Sequence, residues 1–306
     1  MSTKTRILEY EILDVFTETP FSGNPLAIVW IPRDAEDISQ TQKQRIAKEF
    51  NLSETVFLHY RAPPQNDPSI SVVIDIFDTT SELPFAGHPT IGAGWRLLES
   101  LPGRESILLR TKAGDVPVIR DCGSKGKVRL QVPVDYKFHG LYQDTLVKAS
   151  SHLTTRDFVN GREGPEPVAS VVKGMTFMLL ELTSEEALAG FVPTSQKFSA
   201  GKEFLGEWEG FTAVYLYVFL PDGSIRTRMF EGSIEDPATG SAASTLAVYL
   251  ATKKGEGKWT FSVVQGVEIG RRSEIEVYVE LDKDTRVLNL GLVGEAVKVM
   301  NGRINV

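Results

Sequence analysis

The chain of 306 residues has one cysteine, four histidines and no long apolar run. Cys122 alone excludes an intramolecular disulfide and any cysteine-rich zinc site. His59, His139 and His152 have no partner at His-x-x-x-His or Cys-x-x-Cys spacing, so they read as structural or exposed. The longest uninterrupted apolar run is the eight residues Ala213–Leu220. A bilayer-spanning helix needs about 20. The opening stretch MSTKTRILEYEILDVF has no apolar core of signal-peptide length, and a soluble, cytoplasmic protein is expected. Basic surplus is also missing. Thirty-three Lys and Arg face 40 Asp and Glu, a net charge of −7, which argues against nucleic-acid and membrane-surface partners. Gly-x-Gly-x-x-Gly, Gly-x₄-Gly-Lys-[Ser/Thr] and Gly-x-Ser-x-Gly are absent, so nucleotide-cofactor and serine-hydrolase chemistry lack support.

What is present is a globular composition, 42% apolar and 24% charged, with length for about two domains. Short β-type runs dominate. Arg6–Leu13, Leu26–Trp30, Thr55–Tyr60 and Ser71–Phe77 lead into a meander over Ser106–Thr111, Val116–Arg120 and Val128–Val132. A second set runs from Phe177–Leu182 to Ala296–Met300. Helical spacing marks Ser39–Phe50, Pro89–Glu99 and Ala238–Thr252. The last two are dense in Ala, Gly, Ser and Thr without a wide polar face, so burial on most sides is expected. Pro63–Pro68 and Gly161–Pro167 read as surface loops, and Asp135–Gly140 as a polar connection. The pattern predicts an α+β protein of two similar halves, 1–135 and 136–306, with the last strand near 295–306 packing back onto the first half.

Each small-residue helix opens with an unusual turn. The first is Phe85-Ala86-Gly87-His88-Pro89-Thr90, and the second is Glu235-Asp236-Pro237-Ala238-Thr239-Gly240-Ser241. The prolines suit the first helical position, which places His88 and Asp236 at the helix starts. Unpaired N–H groups there attract anions, and two such ends facing each other would cradle a small carboxylate without lysine or arginine. Ordinary capping and close packing remain the alternative for either turn alone. Glu54, in Asn51-Leu52-Ser53-Glu54-Thr55, lies where a helix gives way to a strand. Buried among apolar groups, it would titrate high enough to remove and return a proton. Spacing alone favours the plainer alternative of an exposed loop glutamate.

Five segments carry a family resemblance in order: Asp14-Val15-Phe16 with Phe21-Ser22-Gly23-Asn24-Pro25, Asn51–Thr55, Ala86–Thr90, Glu235–Ala242, and Gln265-Gly266 with Gly270-Arg271. Together they resemble the PhzF family of phenazine-biosynthesis-like isomerases, from about Tyr10 to the C-terminus. The resemblance implies a diaminopimelate-epimerase-like fold of two pseudo-symmetric domains. Each is a barrel-like sheet around a central helix, with the active site in the cleft between them. It implies Glu54 as acid/base, with His88 and Asp236 as further active-site residues. Asn24, Gly87, Gly240, Ser241 and Gln265 then line the substrate pocket. The implied activity is a proton shift within a small carboxylated metabolite, without metal or organic cofactor, in a homodimer. Relatives of the fold that epimerise amino acids use a cysteine in each helix-start turn. Neither turn here has one. A catalytically silent metabolite-binding or interaction protein, and a racemase or epimerase without cysteines, are the alternative readings.

Overall fold

The structure is a computed structural model that describes residues 6–32, 38–59, 70–123, 126–149 and 152–306. The loop expected at Pro63–Pro68, the end of the strand expected at Tyr60, and Ser124-Lys125 of one expected turn lie outside the described residues. The chain forms two units: 1–131 with 293–306, and 132–292.

In the first unit β1 (Ile7–Val15), β2 (Asn24–Ile31), α1 (Gln40–Phe50), β3 (Thr55–His59), β4 (Ser71–Phe77) and the short β5 (Glu82–Leu83) precede α2 (Gly87–Glu99). The meander β6 (Ser106–Thr111), β7 (Gly114–Arg120) and β8 (Val128–Gln131) follows. β1–β2 is antiparallel, β2–β3 parallel, β3–β4 antiparallel, β4–β6 parallel and β6–β7 antiparallel. α2 packs against β1, β2, β3, β6, β7 and β8. Nine of its residues, among them Ile91, Gly92, Ala93, Gly94, Leu97 and Leu98, are buried. Its glycines explain how the strands come so close. A Cβ on Gly92 would lie 2.4 Å from Leu26 Cδ2, and one on Gly94 would lie 2.7 Å from Val118 Cγ1.

The second unit contains β9 (Lys137–Tyr142), α3 (Thr145–Ala149), β10 (Glu166–Val172), β11 (Met175–Glu181), α4 (Glu185–Gly190), α5 (Gly201–Leu205), β12 (Phe211–Phe219), β13 (Ile225–Glu231) and β14 (Ile234–Asp236). Then come α6 (Gly240–Lys254), β15 (Gly257–Gln265), β16 (Ser273–Leu281) and β17 (Val287–Gly294). β10–β11 is antiparallel, β11–β12 parallel, β12–β13 antiparallel, β13–β15 parallel and β15–β16 antiparallel. That order repeats the first unit's step for step. α6 occupies the place of α2, packed against β10, β11, β15 and β16, with every residue from Ala242 to Ala251 buried. The chain ends in β18 (Ala296–Asn305), which pairs antiparallel with β1 and belongs to the first unit.

Two stretches differ from expectation. Part of Asp135–Gly140 is strand, because β9 pairs antiparallel with β10. Its exposed Phe138 and Leu141 and its internal Gly140 hide the alternation that marks a half-buried strand. The end of Gly161–Pro167 is also strand. Glu166 is fully buried there, its charge met by Lys148 Nζ at 2.6 Å. No helix among the described residues is long and apolar enough to cross a membrane.

Candidate active site

α1 is placed by a capping box, Ser39 with Gln42, and stops at Asn51, whose φ of 52° is left-handed. That turn leaves three residues before β3, and the third is Glu54. Its side chain is 19% exposed and its Oε2 is buried, 3.4 Å from His88 Nδ1. The exposed loop glutamate is therefore excluded by where α1 and β3 put the residue. Burial pushes the Glu54 carboxyl up to about 7, and the negative charge of Asp78 adds to the rise, while a hydrogen bond from Ser53 opposes it. At neutral pH such a group is divided between its acid and its base forms. Ser53 Oγ also lies 3.4 Å from Oδ1 of Asn24, at the buried start of β2.

His88 is the second residue of α2, 5% exposed, with Gly87 before it and Ala86 as N-cap. Pro89 is thus the third helical residue, not the first. Proline is tolerated there because none of the first four N–H groups of a helix has an intrahelical partner. Ala86 offers no side-chain cap, so the first N–H groups of α2 are left to backbone, water or ligand.

The second turn opens differently. Pro237 lies before the helix, the N-cap is Thr239, and Gly240 and Ser241 are the first two helical residues. Asp236 ends β14, where its Oδ2 accepts a 2.5 Å hydrogen bond from Thr239 Oγ1. Gln265, at the end of β15, is fully buried. Its Nε2 donates to Asp236 O (2.8 Å) and Thr239 Oγ1 (2.9 Å), and its Oε1 accepts from Thr239 N and Tyr215 Oη (3.2 Å each). Those four bonds engage both ends of the amide with protein groups. Gln265 shapes the Asp236–Thr239 turn, and the side chains that shape it with Gln265, Thr239 and Tyr215, were not singled out by spacing.

The first unit therefore brings Glu54, His88, Gly87 and Asn24 to one locality, and the second brings Asp236, Gly240, Ser241 and Gln265 to another. His59 and His139 are structural. His59 Nε2 lies 2.8 Å from Asp75, which also meets Lys43, and His139 Nε2 lies 2.9 Å from Ser170 Oγ. Among the described residues no cluster of His, Cys, Asp and Glu could hold a metal ion. Cys122 is exposed in a turn, remote in sequence from either helix start.

The sequence model of the phenazine biosynthesis-like (PhzC-PhzF) proteins matches residues 13–302. An uncharacterized isomerase of Pasteurella multocida is 34% identical over 281 residues, 89% of this chain and 86% of that protein. A trans-2,3-dihydro-3-hydroxyanthranilate isomerase of Pseudomonas chlororaphis is 32% identical over 288 residues, 91% of this chain and 93% of that protein. The crystal structure of a Bacillus anthracis phenazine biosynthesis protein of the PhzF family superposes with a TM-score of 0.79 at 22% identity, covering 98% of this chain and 100% of that one. On this match across nearly its whole length, the chain belongs to the phenazine biosynthesis-like (PhzC-PhzF) family and is an isomerase.

Proposed function

We propose that this isomerase moves a proton between two carbons of a small carboxylated metabolite, with Glu54 as the proton carrier. The observation that carries the reading is the buried Glu54 Oε2, 3.4 Å from His88 Nδ1, on a carboxyl that titrates near 7. Ionised, Glu54 takes a proton from one carbon. Protonated, it returns one to another. His88 orients the Glu54 carboxyl and the substrate. The N–H groups of Gly87 and His88 receive the substrate carboxylate, and those of Gly240 and Ser241 supply the corresponding anion site of the second unit. Asp236, steered by Thr239 and Gln265, assists the shuttle. A cyclic dienyl acid fits this chemistry, because loss of a proton beside a conjugated system gives a delocalised anion that can be reprotonated elsewhere.

The compound named for the Pseudomonas chlororaphis relative, trans-2,3-dihydro-3-hydroxyanthranilate, is the first substrate to try. The expected result is conversion by the native chain, with Glu54→Gln still binding the compound by calorimetry but not converting it. Chiral analysis of the product separates a double-bond shift from epimerisation. Undiminished conversion by Glu54→Gln contradicts the assignment of Glu54.

A further inference from the structure

Glu54 has a second carboxylate beside it, and the sheet register puts it there. β3 and β4 run antiparallel with Thr55 opposite Phe77 as the last pair of the ladder, and Glu54 and Asp78 are the two residues that flank that pair on the same side, one on each segment. Residues that flank the last pair of an antiparallel ladder are near neighbours, and like charges at such places repel. Asp78 is not a loose surface group. Its Oδ1 accepts from Thr80 N (2.5 Å), Ser81 N (2.6 Å) and Thr80 Oγ1 (2.8 Å), and its Oδ2 accepts from Ser81 Oγ (3.3 Å). Its backbone is fastened as well. Asp78 N donates to Ser81 O, and Gln44 of α1 donates to Asp78 O. The groups that face Glu54 are His88 from α2, Asp78 from the turn after β4, and the neutral Ser53 beside it. Among the described residues no lysine or arginine is paired with Glu54.

We propose that Asp78 is a positioning residue for Glu54: the turn after β4 holds a fixed negative charge against the neighbouring carboxyl and keeps it able to carry a proton at neutral pH. The functional consequence rests on the reading of Glu54 as proton carrier, whereas the charge effect itself does not. Burial is the larger cause of Glu54's high titration, and Asp78 adds to it. Burial alone would leave the setting dependent on every packing change around the site. A charge built into a hydrogen-bonded turn fixes part of it locally.

The test is a titration of Glu54 by NMR in protein carrying ¹³C-labelled glutamate, with Glu54→Gln used to assign the signal. Asp78→Asn keeps an oxygen acceptor for the Thr80 and Ser81 N–H groups and removes the charge. The expected result is a fall in the Glu54 midpoint of about 0.5–1 pH unit. The limb of the pH–activity profile set by Glu54 moves the same way by the same amount. Asp78→Ser, which offers a neutral hydroxyl acceptor, gives the same readout if the asparagine variant does not fold. A merely structural Asp78 would lower stability and leave the midpoint in place, and an unmoved midpoint in a folded variant overturns the proposal. The two readings fail separately: Glu54→Gln that still exchanges substrate hydrogen sinks the proton-carrier role, whatever Asp78 does to the titration.

Discussion

The two units share one strand-pairing order but not one set of polar residues. Immediately before the strand that pairs parallel with its neighbour, the first unit has Glu54 and the second has Gly210. Gly210 has no room for any side chain, since a Cβ there would lie 2.5 Å from Gly174 O. Four residues ahead of the central helix the situation reverses. The second unit has Asp236, and the first has Leu83. At the second helical position His88 corresponds to Ser241. Duplicating a scaffold therefore does not duplicate its chemistry. The helix and the closing strands are set by packing, which asks only for small buried residues where the strands come close, while each unit holds its acid at a different corner.

The comparison can be broken in order of effect. Removing the acid from the first unit acts on rate: Glu54→Gln lowers turnover about 10²–10⁴-fold with the fold intact, checked by steady-state kinetics and circular dichroism. Adding one carbon to the second unit at the matching place acts on stability. Gly210→Ala presses a Cβ onto the Gly174 backbone and costs about 1–3 kcal/mol in denaturant unfolding, the usual range for overpacking. Gln265→Ala strips the Asp236–Thr239 turn of its four bonds and leaves buried polar groups unpaired. A loss of about 1–3 kcal/mol is expected, with turnover reduced along with it.

The pH dependence of stability sharpens the same contrast. Glu54 titrates near 7 when folded against 4.5 as its reference. Between those values the folded chain binds more protons than the unfolded one, so this group's contribution to stability falls as pH rises through that window. Below 4.5 the carboxyl is neutral in both states and carries no penalty. Above 7 the fold bears a buried charge at a cost of up to about 3 kcal/mol. Glu54→Gln should therefore be more stable than the native chain at pH 8 and nearly equal to it at pH 4, as read by thermal unfolding. Smallest of all is Cys122→Ser, which should change neither turnover nor melting, because Cys122 is exposed and both helix starts are free of cysteine.

Much of this was legible in the residues. The small-residue helices, the meander and the order of motifs carry local signals, namely period, turn residues and β-branched runs, so the α+β character and the duplicated helix were readable. What escaped depends on pairing at a distance. β9 has exposed Phe138 and Leu141, and only its partner β10 makes it a strand. Glu166 opens β10 fully buried because Lys148, eighteen residues earlier, meets its charge. The burial of Glu54 could be set only by how α1 ends and where His88 arrives, and spacing describes neither. The Gln265 buckle was half visible. The family resemblance implied a site residue there, but the three residues that take its four bonds come from β12, β14 and the turn that follows.

The most direct measurement is uptake of deuterium from deuterated water into substrate, or into a cell metabolite extract where the substrate is still unnamed, followed by mass spectrometry. A proton carried by Glu54 predicts enzyme-dependent incorporation with the native chain and loss of it with folded, ligand-binding Glu54→Gln. Incorporation that persists unchanged in that variant would contradict the account.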